Sequence, residues 1–199
     1  MSRADATFFS ATYIEVTEAG LVRASSLLRN YRAGAHPAAL GFEVLLRIER
    51  PTHFLLLGSW SSENAYRAQS SNAAALDQQI AELLAAPSDT RLHTPLAVGS
   101  GAEAGLAVAT HVDVVPQHKD EAVRELQRLA DASRKHDGNV RFDVWQQTNR
   151  LNHFTVVEGW VHRRAFDTHV SAPETRAFRS ALTVMTGALY DERLYSSLT

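Results

Sequence analysis

Glu158, Trp160 and His169 lie close together in the stretch Glu158-Gly-Trp-Val-His-Arg-Arg-Ala-Phe-Asp-Thr-His169. Carboxylate and imidazole move protons, and an indole offers a flat apolar wall with one N–H donor. Residues 152–160 read as a strand, so side chains alternate between its faces. Phe154, Val156, Glu158 and Trp160 share one face; His153, Thr155, Val157 and Gly159 share the other. A helix carrying Ala165, Phe166 and His169 follows, so the three polar groups converge between sheet and helix. An unpaired ionised carboxylate there costs several kcal/mol. Glu158 therefore pairs with Arg163 or Arg179, stands at a strand end in water, or has its pKa raised by burial into the range of a general base. His169 is the alternative base, since it titrates near neutrality unaided; otherwise it is an exposed helix residue. Trp160 lines the site or simply packs.

Other polar residues carry weaker signals. Thr12 and Thr110 occupy equivalent strand positions facing the helices, where a hydroxyl bonds a ligand or a backbone carbonyl. His111 and Asp113 lie on the opposite strand face, but no third metal ligand accompanies them, and no metal site is expected. His162 and His169, seven apart, are equally weak as a pair. His53 and His153 recur as a structural position at a hairpin, and Arg91 and Arg193 recur as cross-sheet partners. Arg176 and Arg179 read as a solvated helix face, or as the mouth of a pocket for an acidic substrate.

The elements that position these residues occur twice. His53-Phe54, Trp60 and Ala65-Tyr66 match His153-Phe154, Trp160 and Ala165-Phe166, each pair one hundred residues apart. Ala11 to Val16 matches Ala109 to Val114, and Arg91-Leu92 matches Arg193-Leu194, with small drifts. A repeat of this length is a domain duplication rather than a solenoid unit. The glycine-rich segment 98–105 reads as a linker between domains 1–97 and 106–199. In each half the expected order is β-α-β-β-α-β: strands 8–17 and 106–115, helices 18–33 and 117–136, strands 41–50 and 140–148, then 53–60 and 153–160. Helices 62–85 and 163–186 follow, the second interrupted near Pro173, and strands 91–96 and 191–197 close. This α+β order is the split, ferredoxin-like unit. Helices cover one sheet face, and the duplicate supplies a partner for the other, so two sheets packed face to face form an intrachain α+β barrel.

At 199 residues the chain accommodates two domains of this size. A net charge of −2 with dispersed Lys and Arg gives no electrostatic case for nucleic acid or an anionic membrane. The absence of cysteine excludes disulfides and thiolate metal sites. The N-terminal residues lack a signal peptide's apolar core, and no stretch is apolar enough to span a membrane. A cytoplasmic location is the default expectation.

Glu-x-Trp, an Ala five residues on and a His four after that, followed by Ser171-Ala-Pro173-Glu-Thr-Arg-Ala-Phe178 and Tyr190-Asp-Glu-Arg-Leu-Tyr195, resembles the antibiotic biosynthesis monooxygenase family. The resemblance spans residues 106–198 and, more weakly, 8–97. It implies α+β barrels and small cofactor-independent oxygenases acting on anthrones and hydroquinones, with haem-degrading relatives. In the implied reaction a deprotonated aromatic substrate reduces O2 itself, and neither flavin nor metal is required. The expected partners are thus a small aromatic substrate and O2, with further homo-oligomerisation left open. No Gly-x-Gly-x-x-Gly or P-loop argues for a nucleotide cofactor. Glu158 or His169 would be the base beside Trp160, with Phe166, Phe178, Thr110 and Val156 around the substrate. The halves differ here: Glu158 aligns with Gly58 and His169 with Gln69, which points to the C-terminal repeat as the main site. Trp60 and Tyr66, however, keep the family's Trp-to-Tyr spacing of six, which Trp160 and Phe166 do not, and a second substrate-binding site is left open there. The family's asparagine four residues before Trp is Leu56 in one half and Val156 in the other, a departure from the anthrone-specific pattern. The alternatives are a polyketide cyclase or isomerase, a haem- or ligand-binding protein using His169, or a scaffold without chemistry.

Overall fold

The protein is described by a computed structural model covering residues 3–34, 36–99, 101 and 104–198. Part of the expected linker (Ser100, Ala102 and Glu103) lies outside the described residues. The elements are β1 (Phe8–Glu15), α1 (Leu21–Ala33), β2 (Ala39–Arg47), β3 (His53–Trp60), α2 (Glu63–Arg67), α3 (Ser70–Ile80) and β4 (Asp89–Ala97). They repeat as β5 (Leu106–Asp113), α4 (Lys119–Ser133), β6 (Asn139–Gln147), β7 (His153–Trp160), α5 (Arg163–Val170), α6 (Pro173–Leu182) and β8 (Asp191–Ser197). Each half is thus a ferredoxin-like β-α-β-β-α-β unit.

One compact unit extends to Leu92 and takes in the chain from Tyr195; the other is His93–Leu194. The boundaries cut through β4 and β8. In the first unit β1 and β2 flank β3, all antiparallel, and Tyr195–Ser197 of β8 pair with β2. In the second, β5 and β6 flank β7, and His93–Ala97 of β4 pair with β6. The repeat extends to irregularities: a register shift between Ala39 and Gly41 in β2 recurs between Asn139 and Arg141 in β6. Such bulges locally increase twist and re-aim side chains.

In each unit the helices cover the sheet face that carries residues 54, 56 and 60, or 154, 156, 158 and 160. Ala122, Leu126, Leu129 and Ala130 recur at helical spacing on α4 and are buried against Phe142, Phe154 and Val156. In the first unit Ala24 and Leu28 of α1 meet Val44, Phe54 and Leu56. The long second helix expected in each half is two helices. Pro173 starts α6, where its missing N–H is harmless. The corresponding break in the first unit, between α2 and α3, involves no proline and falls at Ala68–Gln69. The first piece is capped in both halves: Ser62 Oγ accepts Ala65 N–H at 3.2 Å, and His162 Nδ1 accepts Ala165 N–H at 3.1 Å. His162 therefore serves as a helix cap. Among the described residues, no helix is long and apolar enough to cross a membrane.

Candidate active site

The strand register sets the site. Glu158 lies in β7 between Val108 of β5 and Phe142 of β6, and its side chain points to the helices with that of Trp160. The capped start of α5 fixes the turn that brings Phe166 and His169 over this face. Trp160 Nε1 donates to Glu158 Oε2 at 2.9 Å, and His169 Nε2 stands 3.6 Å from the same oxygen, just beyond a direct hydrogen bond. His169 packs on the indole with ring centroids 4.7 Å apart, and Phe142 and Phe166 border it. On its other edge, His169 Nδ1 lies 3.0 Å from His136 Nδ1 and 3.3 Å from Thr175 Oγ1.

Glu158, Trp160 and His169 are each at most 3% exposed. Burial pushes the Glu158 carboxyl up to about 8. The Trp160 hydrogen bond and Arg179 pull the other way, and Glu192 adds to the rise. Burial lowers the His169 imidazole to about 4, with His136 and Arg179 adding to the shift. At neutral pH the pair is therefore a protonated carboxyl beside a neutral imidazole. Neither ionised partner expected for Glu158 touches it: Arg163 pairs with Asp167, and Arg179 donates to Glu192 at 2.7 Å while lying over the Tyr190 ring. Arg179, Tyr190 and Glu192 are half-buried and close enough to bear electrically on one another and on Glu158. Burial, Glu158 and Glu192 all raise the Tyr190 phenol.

Val156 and Phe178 belong to the adjoining apolar cluster with Phe142, Phe154 and Met185. Thr110 pairs with Val156 in register, one step from Glu158, and its Oγ1 is buried without a hydrogen-bond partner. A buried orphan hydroxyl is an unmet demand that a polar ligand atom would meet. The alternative reading, a bond to a backbone carbonyl, does not hold for Thr110, nor for Thr12, whose Oγ1 meets Thr90 Oγ1 at 2.9 Å. The weaker candidates have structural roles. His153 Nδ1 pairs with Asp113 at 2.8 Å, and His53 stands 3.6 Å from Glu15 at the equivalent place. Arg91 and Arg193 each pair with the aspartate two residues earlier. Sequence reasoning does not single out His136, Thr175, Tyr190 and Glu192 as site residues. They sit at element ends or on other elements, and only the fold brings them near Glu158.

The equivalent place in the first unit is built differently. Gly58 stands where Glu158 does, paired with Ser10, and Trp60 Nε1 donates to Ser10 Oγ at 3.1 Å. The indole lies over the glycine: a Cβ at Gly58 would fall 2.7 Å from Trp60 Cζ2 and Nε1. Beside it opens a cavity of about 320 Å³ whose walls include Tyr31, Phe42, Trp60 and Tyr66, with Thr12, Gln69, Asp77 and Thr90 as polar points. Tyr66 meets Trp60 edge-on at 5.6 Å, and Tyr31 meets Phe42 likewise at 5.5 Å. Burial raises both phenols above their ordinary range, so they remain hydrogen-bond donors. The first unit has room and aromatic walls; the second has an acid–base pair. Among the described residues, no group of three or more His, Cys, Asp or Glu is arranged to hold a metal ion.

Residues 105–181 match the family model for Antibiotic biosynthesis monooxygenase. A curated relative, "Putative monooxygenase YcnE" of Bacillus subtilis (strain 168), is 25% identical over 73 residues, covering 37% of this chain and 77% of that protein. Among solved structures, a "Putative monooxygenase" of Fusobacterium nucleatum superposes with a TM-score of 0.84 at 13% identity, covering 98% of this chain and 93% of that one. An anthrone oxidase-like protein superposes with a TM-score of 0.74 at 14% identity, covering 99% and 93%. At such identities these two likenesses establish the shared fold.

Proposed function

Because its second unit belongs to the antibiotic biosynthesis monooxygenase family, we propose that this chain oxidises an electron-rich aromatic phenol, anthrone or hydroquinone with O2, and that Glu158 is the base. The observation that carries the reading is the buried Glu158–Trp160–His169 cluster with its inverted proton affinities. An ordinary phenol titrates near 10, so transfer to an unperturbed glutamate is uphill by roughly 7–8 kcal/mol. Raising the glutamate to about 8 reduces that to about 3 kcal/mol. His169, lowered to about 4, is the poorer acceptor, which supports Glu158 over it as the base. Trp160 Nε1 donates to the carboxylate and holds it in place before it takes the proton, and the orphan hydroxyl of Thr110 offers a bond to a substrate oxygen.

The chemistry balances without an external reductant. Glu158 takes the proton of the phenol or of the enolised ring carbon, and the anion gives its electrons to O2 with formation of a C–O bond. For an anthrone, loss of the second hydrogen from the same carbon breaks the O–O bond. A CH2 becomes C=O, one oxygen atom enters the product and the other leaves as water. The second unit's tight apolar walls limit side reactions of the anion.

The cavity of the first unit favours a second reading, a chamber that binds a planar hydroxylated ligand between Trp60, Tyr66 and Tyr31. Its volume is at the lower end for small-molecule sites. The deciding experiment is O2 uptake by flavin-free, metal-free protein with an anthrone and a dihydroquinone, wild type against Glu158→Gln. Uptake above the spontaneous rate that the variant loses supports the oxygenase. Product formed without O2 consumption selects the cyclase or isomerase. Binding that quenches Trp60 fluorescence without turnover selects the chamber.

A further inference from the structure

Four titratable side chains of the second unit form a line ordered by exposure. The side chains of Glu158 and His169 are 3% and 4% exposed, that of His136 is 21% and that of Glu174 is 51%. Glu158 Oε2 lies 3.6 Å from His169 Nε2, His169 Nδ1 lies 3.0 Å from His136 Nδ1, and His136 Nε2 lies 3.7 Å from Glu174 Oε2. The elements are distinct: β7, α5, the turn after α4, and the first turn of α6.

The contact between the rings constrains their protons. Two neutral imidazoles meeting Nδ1 to Nδ1 share one proton there. If His169 carries it, His169 Nε2 is a bare lone pair facing the Glu158 carboxyl, and His136 keeps its own proton on Nε2, facing Glu174. Every nitrogen then meets a complementary neighbour. With the proton on His136 instead, a bare His136 Nε2 faces the Glu174 carboxylate, lone pair against negative charge. The first arrangement leads from the interior to the surface through one hydrogen bond, between the two rings, and two approaches of 3.6 and 3.7 Å that must shorten for transfer.

We propose that His169, His136 and Glu174 are the route by which Glu158 discharges its proton to solvent, with His136 as the relay. The inference rests on the reading of Glu158 as the base. A proton passes from the Glu158 carboxyl to His169 Nε2 as His169 releases its Nδ1 proton to His136 Nδ1. His136 then gives its Nε2 proton to Glu174 or to water. Neither ring holds a lasting positive charge, and both reset by ring rotation or by return transfer. Other groups facing this line are Arg179, which bears on Glu158 and His169, Glu192 and Tyr190, which bear on Glu158, and Thr175 Oγ1, which lies against His169 Nδ1.

Nitrogen-15 NMR of the imidazoles in the full chain at neutral pH tests the proton arrangement without any substrate. The expected result is Nδ1–H on His169 and Nε2–H on His136; Nε2–H on His169 overturns the proposal. Infrared spectroscopy after transfer to D2O then follows deuterium entry at the Glu158 carboxyl. In His136→Phe, and in the gentler His136→Gln should the first fail to fold, entry is expected to slow at least tenfold and to recover with free imidazole. Unchanged entry in a folded variant overturns the relay. Where the oxygenase assay works, the variant is expected to make one normal turnover and then slow, at unchanged KM. Wild-type protein without O2 uptake sinks the oxygenase reading alone, since the spectroscopic outcomes still decide the relay.

Discussion

The two units place the same indole in the same position and give it different partners. Trp160 donates to a glutamate on its own strand, and Trp60 donates to a serine on the neighbouring one. At Glu158 the carboxyl fills the space beside the ring, and His169 closes over it. At Gly58 the indole itself and Ser10 Oγ take up the place of the missing side chain, and the 320 Å³ cavity opens beside them. The duplication thus separates two properties that one site would combine, proton affinity in the second unit and open aromatic volume in the first. Their shared parts, the bulged strand, the hairpin ion pair and the capped helix start, belong to the fold.

The sharpest way to break this comparison is Glu158→Gln. The amide keeps the shape and can still accept from Trp160 Nε1, but it cannot take a proton. Removing a general base typically costs about 10²- to 10⁴-fold, so oxygen uptake is expected to fall by that factor while ligand binding in the first unit is unchanged. Wild-type activity is expected to rise with pH through about 8, as the carboxylate forms. A flat profile across that range would remove Glu158 from the role.

Stability reports the same contrast. Glu158 holds its proton in the folded state up to about 8, whereas the unfolded chain releases it near 4.5. Between those values the folded state binds more protons, so stability falls as pH rises, by roughly 1.4 kcal/mol per unit. His169 acts oppositely. It stays neutral when folded down to about 4 and takes a proton near 6.5 when unfolded, so its contribution is lost as pH falls from 6.5 towards 4. The two effects offset each other below about 6.5 and leave a net decline between there and 8. Urea denaturation at pH 6.5 and 8 is expected to show that decline in wild type and not in Glu158→Gln, which should be the more stable protein at pH 8. The corresponding cavity residues of the first unit give no such signature.

Gly58→Ala probes the other side of the comparison with a smaller expected cost. The added methyl would fall 2.6 Å from Ser10 Oγ and 2.7 Å from the Trp60 ring, so the indole must shift and its bond to Ser10 weakens. Overpacking of this kind typically costs about 1–3 kcal/mol. A lowered melting temperature with altered Trp60 fluorescence is the expected pair of readouts, and an unchanged protein would show that the glycine is not what sets the indole's place.

Much of this architecture was legible in the sequence, and the reason is repetition. Two copies of one apolar pattern set the element order, and strand alternation alone puts Glu158 and Trp160 on a common face. His169 followed because helical phase after a short turn is nearly rigid. What sequence could not supply was long-range: His136 lies in the turn after α4, and Tyr190 and Glu192 arrive with the last strand. Nor could it reveal that a missing side chain at Gly58 draws the indole inward and leaves space behind. The helix break at Gln69 carries no sequence mark, whereas Pro173 marks its counterpart.

The finest test exchanges one hydroxyl. Tyr66 and Phe166 occupy equivalent places, and each lies near its tryptophan, at 5.6 and 6.3 Å. Tyr66→Phe leaves the aromatic wall of the first cavity intact and removes one donor. A hydroxylated aromatic that uses the phenol should then bind more weakly by about 0.5–1.5 kcal/mol, a loss of roughly 2- to 10-fold in Kd by calorimetry. A ligand of the same shape without oxygen should bind as before. The converse change, Phe166→Tyr, places a hydroxyl beside a cluster that is already closed, where it must find a partner or incur a desolvation cost of about 1–3 kcal/mol. If Tyr66→Phe leaves both ligands unaffected while Phe166→Tyr is tolerated, the two units differ less than their polar residues suggest. The division between a binding chamber and an acid–base site would then fail at its most specific point.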